Sequence, residues 1–153
     1  MFLLKVVQAL EDAKVPYALV GGFAVALHGA VRGTLDIDLI LRFSEKRFIA
    51  ADKALQSIGL RPRLPVTAAE VFRFREEYIR NRNLHAWSFV HPDRPSEIVD
   101  VILTENLADV KIKRLKVQDQ TVRVISAADL IRMKEKSGRP QDLEDAKALR
   151  DLS

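Results

Sequence analysis

Val20-Gly21-Gly22-Phe23-Ala24-Val25-Ala26-Leu27-His28-Gly29-Ala30-Val31-Arg32-Gly33-Thr34-Leu35-Asp36-Ile37-Asp38-Leu39-Ile40-Leu41 is the stretch on which the fold turns. Strand side chains alternate, so Asp36 and Asp38 share one face of the apolar run Leu35–Leu41. Like charges about 6–7 Å apart repel, and a divalent metal is the direct way to hold them together. Upstream, Gly21-Gly22 breaks the chain direction, Phe23–His28 reads as a short helix, and Gly29 is placed to end it. The glycine pair suits a tight turn with positive φ; beside a helix N-terminus, the same turn lets N–H groups meet a phosphate. Arg32-Gly33-Thr34 is the loop before the second strand. Arg32 and Thr34 serve either as phosphate contacts or as loop structure and helix capping.

Outward from this stretch the pattern alternates between helix and strand. Leu3, Val6, Val7 and Leu10 form the stripe of a helix that Pro16 ends, and Tyr17–Val20 is a short buried strand. Ser44 can cap a helix to about Ile58, with Gly59 as its stop. Arg61–Pro65 reads as a connection, and Ala68 to about Asn81 as one helix. Leu84–Val90 and Glu97–Leu103 flank the turn His91-Pro92-Asp93-Arg94-Pro95 and predict a hairpin. Glu105 to about Arg114 reads as a short helix, and Leu115–Val117 with Thr121–Val124 as a second small hairpin. Ser126 and Asp129 approximate a capping box for a helix that Gly138 ends, and Pro140 opens a last helix to Asp151. The sum predicts an α+β (mixed α/β) fold, a mixed twisted sheet flanked by helices. A single domain over 1–153 is expected, with a core of about 1–125 and C-terminal helices over about 126–151.

A chain of 153 residues, 48% hydrophobic and 30% charged, suits one globular domain with a real core. The absence of cysteine excludes disulfide frameworks, thiolate metal sites and a cysteine nucleophile. No apolar run approaches the ~20 residues of a membrane span, and the N-terminus lacks the layout of a signal peptide, so a cytoplasmic location is expected. The net charge of +4 is modest. Its basic residues cluster at Arg73, Arg75, Arg80 and Arg82 and at Lys111, Lys113, Arg114 and Lys116. Either group could track a phosphate backbone, but neither has the interleaved aromatics of a single-strand platform.

Asp100 is a lone acid within Ile98-Val99-Asp100-Val101-Ile102, expensive to bury unless paired or metal-bound. With Asp36 and Asp38 it makes a set of three carboxylates on neighbouring strands. Mg²⁺ takes carboxylate oxygens and keeps waters for substrate phosphates; two such ions about 3.5–4 Å apart can serve an attacking and a leaving oxygen. The plainer reading leaves the acids on the polar face of a half-covered sheet or paired with arginines. The chain has no P-loop and no dinucleotide fingerprint. His28 reads as structural, His85 and His91 as too separated for a site, and Trp87 and Phe89 as core.

The order apolar–Gly21–Gly22, then Asp36–Ile37–Asp38–Leu39, then Asp100 on a later strand resembles the signature of the DNA polymerase β superfamily of nucleotidyltransferases. Arg32–Leu39, Arg61–Val66, Asp129–Lys134 and Gly138–Asp145 resemble small bacterial nucleotidyltransferases similar to the toxins of AbiE-type toxin–antitoxin systems. The resemblance covers nearly the whole chain. It implies the nucleotidyltransferase fold and transfer of a nucleotidyl group from an NTP, such as ATP, with Mg²⁺ (or Mn²⁺) and release of pyrophosphate. It further implies that Gly21 and Gly22 hold the triphosphate and that Asp36 and Asp38 bind metal. Asp100 would help bind one metal and draw the proton from the acceptor hydroxyl, and Lys134 would approach the phosphates. Asp142 or Asp145 matches a downstream acidic position. Taken alone, Lys134 reads as a solvent-facing helix lysine beside Lys136.

The acceptor is left open among RNA, a protein and a small molecule, as is an antitoxin partner; no membrane is expected. A non-catalytic nucleotide-binding or antitoxin-like protein keeping the fold is the alternative. A nucleic-acid-binding module built on Arg73–Arg82 leaves the three acids unexplained.

Overall fold

The computed structural model describes residues 1–30 and 36–152. Helix α1 (Phe2–Asp12) buries Leu3, Val6, Val7 and Leu10, the stripe its sequence presents. Strand β1 (Tyr17–Val20) is buried at every residue. Helix α2 (Gly21–Leu27) starts two residues earlier than its pattern suggests, at Gly21 itself. Strand β2 (Ile37–Leu41) carries Asp38 among buried apolar residues. Ser44 caps α3 (Glu45–Ser57) by accepting from the Arg47 N–H, and Gly59 follows at φ +93°.

Among the described residues, seven strands form one sheet in the order β3-β4-β5-β2-β1-β7-β6. Strands β4 (Ala86–Val90) and β5 (Ile98–Ile102) form the expected hairpin, as do β6 (Ile112–Val117) and β7 (Gln120–Ile125). The central pairings mix directions: β1 is antiparallel to β2, whereas β2–β5 and β1–β7 are parallel. Helices α6 (Ala127–Ser137) and α7 (Pro140–Asp151) close the chain. This is a mixed sheet flanked by helices, the expected α+β class.

One face of the sheet packs on α3. The Trp87 ring of β4 stacks on Phe48 of α3 with centroids 5.6 Å apart, and Phe89 lies 4.6 Å from Trp87. Val99 and Val101 of β5 are register partners of Phe89 and Trp87, so alternation puts them on this same face. Burying such rings drives the core; each contributes about 1.5–3 kcal/mol through apolar area alone.

Three expectations change. The Arg61–Pro65 connection begins with a two-residue edge strand, β3 (Arg61–Pro62), where Pro62 is tolerated because an edge leaves its missing N–H unneeded. The single helix expected over Ala68–Asn81 is two, α4 (Ala68–Arg73) and α5 (Arg75–Arg82). Arg75 fixes the break: its guanidinium sits 4.5 Å from the Phe43 and Phe72 ring centroids and donates to the Phe72 carbonyl. The segment 105–114 holds only a 3-10 turn, Leu107–Asp109, because the β6–β7 hairpin starts at Ile112. Asn106 accepts from the Phe43 and Ala108 N–H groups and pins that turn.

Candidate functional site

The parallel β2–β5 pairing sets Asp38 directly opposite Asp100. On the far side of β5, Ser88 of β4 is the register partner of Asp100, and its Oγ donates to Asp100 Oδ1 at 2.5 Å. Alternation places Asp38, Asp100 and Ser88 on the sheet face opposite Trp87 and Phe89. Asp36 immediately precedes β2, and its charge acts on both Asp38 and Asp100. The three expected carboxylates are therefore brought together.

Gly21 borders Asp38 from the other side. Val20 is the antiparallel partner of Asp38, and Gly21 follows at φ +67°. A Cβ built there would overlap the Asp38 carboxylate, so both the backbone angle and the space demand glycine. Gly21 lines the adjoining cleft, whereas Gly22 is buried within α2. Arg32 and Thr34, the expected loop contacts, lie outside the described residues.

Burial, Asp100 and Asp36 together push the Asp38 carboxyl up to about 7, against the pull of Lys134 and Arg139. Burial and Asp36 also raise Asp100, while the Ser88 hydrogen bond and the Arg63 charge oppose the rise. Like charges pressed together in a half-buried site favour a proton or a cation there. Among the described residues, no set of three or more acidic or histidine side chains is closed into a metal-holding geometry.

Lys134 is not the solvent-facing lysine that its sequence neighbours suggest. It is 8% exposed, and its Nζ lies 3.0 Å from Asp145 Oδ2 and 3.5 Å from Asp142 Oδ1. Asp142 also accepts from Arg139 Nε at 2.8 Å. Burial works to raise the Asp142 carboxyl, but the Arg139 hydrogen bond and the Lys134 charge outweigh it and hold it below the usual range. A cleft of about 920 Å³ is lined by Gly21, Asp38, Lys134, Arg139 and Asp142 together with apolar Phe43, Ile79, Ile102, Leu103 and Met133. A groove of about 800 Å³ between α1 and α3 holds none of the candidate residues.

His28 donates to the Ile125 carbonyl at 2.7 Å, a structural role as expected. His85 lines the cleft beside Asn83, while His91 serves the turn by accepting from the Asp93 N–H. Part of the basic segment is already engaged: Arg73 pairs with Glu45 at 2.6 Å, and Arg75 covers two rings. Sequence reasoning passed over Ser88 and Arg139. Hairpin symmetry could have found the first, since a turn centred on Arg94 pairs position 88 with 100. The second needed the α6–α7 packing.

The sequence model of the aminoglycoside-2''-adenylyltransferase family matches residues 2–149. No curated protein matches the sequence. The solution structure of the antibiotic-resistance factor ANT(2'')-Ia superposes with a TM-score of 0.64 at 15% identity, over 99% of this chain and 80% of that one. The lincomycin-bound lincosamide antibiotic adenylyltransferase LnuA gives 0.64 at 17% identity, over 99% and 96% of the two chains. An antigenic nucleotidyltransferase-like protein from Paracoccidioides brasiliensis gives 0.61 at 16%, over 99% and 76%. These likenesses carry the fold, and the family match carries the activity class. The chain belongs to the aminoglycoside-2''-adenylyltransferase family and is a nucleotidyltransferase.

Proposed function

We propose that this chain transfers an adenylyl group from Mg²⁺-bound ATP to a hydroxyl of a small-molecule acceptor. The observation that carries the reading is the Asp38–Asp100 register pair, whose Asp38 lines a cleft that also presents Lys134 and Arg139. The donor set suits the metal: Asp38 and Asp100 are both raised, each by burial and by a neighbouring acid's charge, and hard oxygen donors are what Mg²⁺ takes. Asp36, Asp38 and Asp100 would hold it. When bound, Mg²⁺ supplies positive charge to the reacting phosphate and the leaving pyrophosphate.

The chain's own groups do the rest. Gly21 leaves room for the Asp38 carboxylate at the edge of the cleft, and Lys134 and Arg139 offset the charge of the nucleotide phosphates. Asp100 takes the proton of the acceptor hydroxyl, the acceptor oxygen forms a bond to the α-phosphorus, and the bond to pyrophosphate breaks. Ser88 holds the Asp100 carboxylate in one orientation. An antibiotic-sized acceptor is supported by the family match and by the lincomycin held by LnuA.

One observation favours a second reading. The segment that resembles AbiE-type toxins, Lys134 to Asp145, contributes Lys134, Arg139 and Asp142 to the cleft, and that resemblance supports an RNA or protein acceptor and an antitoxin partner. A single experiment separates the two. The protein is incubated with Mg²⁺, ATP labelled at the α-phosphate, and in parallel aminoglycosides, lincosamides, total RNA and cell protein. Label on a small molecule, lost in Asp36→Ala, supports the first reading; label on RNA or protein supports the second. No transfer and no pyrophosphate release with any acceptor sinks both.

A further inference from the structure

The C-terminal helices enclose a charge cluster that their docking does not require. Lys134, Asp142 and Asp145 are 8%, 2% and 3% exposed. Buried ion clusters are weak sources of stability, because an apolar contact of similar shape serves as well or better. Such a contact already exists here, for Leu130 of α6 and Ala146 and Leu149 of α7 are buried.

The cluster lies against the cleft. Lys134, Arg139 and Asp142 line it beside Asp38 and Gly21, and both cations act on the Asp38 charge. Asp142 bridges them, with Oδ1 toward Lys134 and Oδ2 accepting from Arg139 Nε. Asp145 holds Lys134 from the other side. The two aspartates are three residues apart on α7, so they share a face. Gly138, at φ +71°, turns the chain between Lys134 and Arg139. A lysine head on four rotatable carbons otherwise seeks bulk water.

We propose that Asp142 and Asp145 are positioning residues that hold Lys134 and Arg139 ready for the nucleotide phosphates, an inference resting on the nucleotide site proposed above. Two cations and two carboxylates sum to no net charge, so the cluster does not attract ATP by charge alone. It removes the ordering that binding would otherwise demand of two long side chains. This view and a net-charge view differ in sign. On net charge, removing an aspartate tightens ATP binding; on positioning, it weakens it.

The test measures, by calorimetry, the affinity of the full chain for Mg²⁺ with α,β-methylene-ATP, which cannot release pyrophosphate. Asp145→Asn and Lys134→Met are each expected to weaken binding about tenfold, while the double variant is no weaker than Lys134→Met within about twofold. A purely structural aspartate would weaken binding in both backgrounds. Unchanged or tighter binding in Asp145→Asn, or fully additive losses in the double variant, overturns the positioning role. No binding by the unaltered chain, or none lost in Lys134→Met, instead overturns the nucleotide reading beneath it. Should Asp145→Asn fail to fold, Asp145→Glu keeps the charge and shifts the carboxylate by one methylene. Severalfold weakening supports the role, and unaltered affinity overturns it.

Discussion

The Asp38 carboxylate occupies the space that a side chain on Gly21 would fill. The two residues face each other because Val20 and Asp38 are antiparallel partners and the chain turns away one residue later at positive φ. A metal-ligand candidate and a phosphate-seat candidate thus share one small volume.

Gly21→Ala is expected to move the Asp38 carboxylate and to strain the backbone by about 1–2 kcal/mol. Nucleotidyl transfer should fall about a hundredfold, since displacements on this scale disrupt reacting geometry. Thermal unfolding and label transfer together check the outcome; near-normal transfer would show that the overlap is relieved elsewhere.

Asp38→Asn and Asp100→Asn are each expected to cut transfer by roughly 10²–10⁴-fold while keeping the fold. Circular dichroism verifies folding and label release measures the loss. Retained activity in Asp100→Asn would remove it as the proton acceptor.

Ser88→Ala should lower transfer roughly ten- to hundredfold, the worth of about 1.5–3 kcal/mol for a hydrogen bond to a charged group. The Ser88 hydroxyl donates to Asp100 at 2.5 Å, and Thr at this position keeps a donor. Recovery in Ser88→Thr is the accompanying check.

Metal-free protein should lose stability as pH rises. Asp38 is pushed from 3.8 up to about 7 in the folded state, chiefly by burial and then by Asp100 and Asp36. A carboxyl with a raised folded pKa binds its proton more tightly when folded. Its contribution is therefore complete below the unfolded value and is lost as pH climbs through about 7. With allowance for solvent access, about 1–3 kcal/mol is at stake between about pH 4 and 7. Thermal melts in chelator should show the decline, and both Asp38→Asn and added Mg²⁺ should flatten it.

Phe48→Ala should cost about 3–5 kcal/mol, because it empties the space stacked on Trp87 and edge-packed on Phe72. Denaturant melts measure this directly.

The parts of the fold legible in the sequence were those governed by local rules. The α1 stripe, the Ser44 cap, the stops at Gly59 and Gly138 and both hairpins follow from periodicity and turn chemistry. Asp36, Asp38 and Asp100 stood out because a charge in an apolar strand needs an explanation. What escaped was set by distant contacts. The break between α4 and α5 depends on Arg75 finding Phe43 from another part of the chain. Lys134 looked solvent-facing because only the packing of α7 on α6 buries it between two aspartates. Strand β3 exists only because β4 offers it an edge.

The sheet order has a kinetic consequence. Each hairpin forms from neighbouring residues, but β2 meets β5 only across a long intervening segment that includes α3, α4 and β4. Pairings of high sequence separation form late in folding, once loop-closure entropy has been overcome. The pairing that brings the acids together is therefore among the slower ones to close. A chain cut between α5 and β4 would leave Asp36 and Asp38 on one piece and Asp100 on the other, so neither piece would hold all three carboxylates.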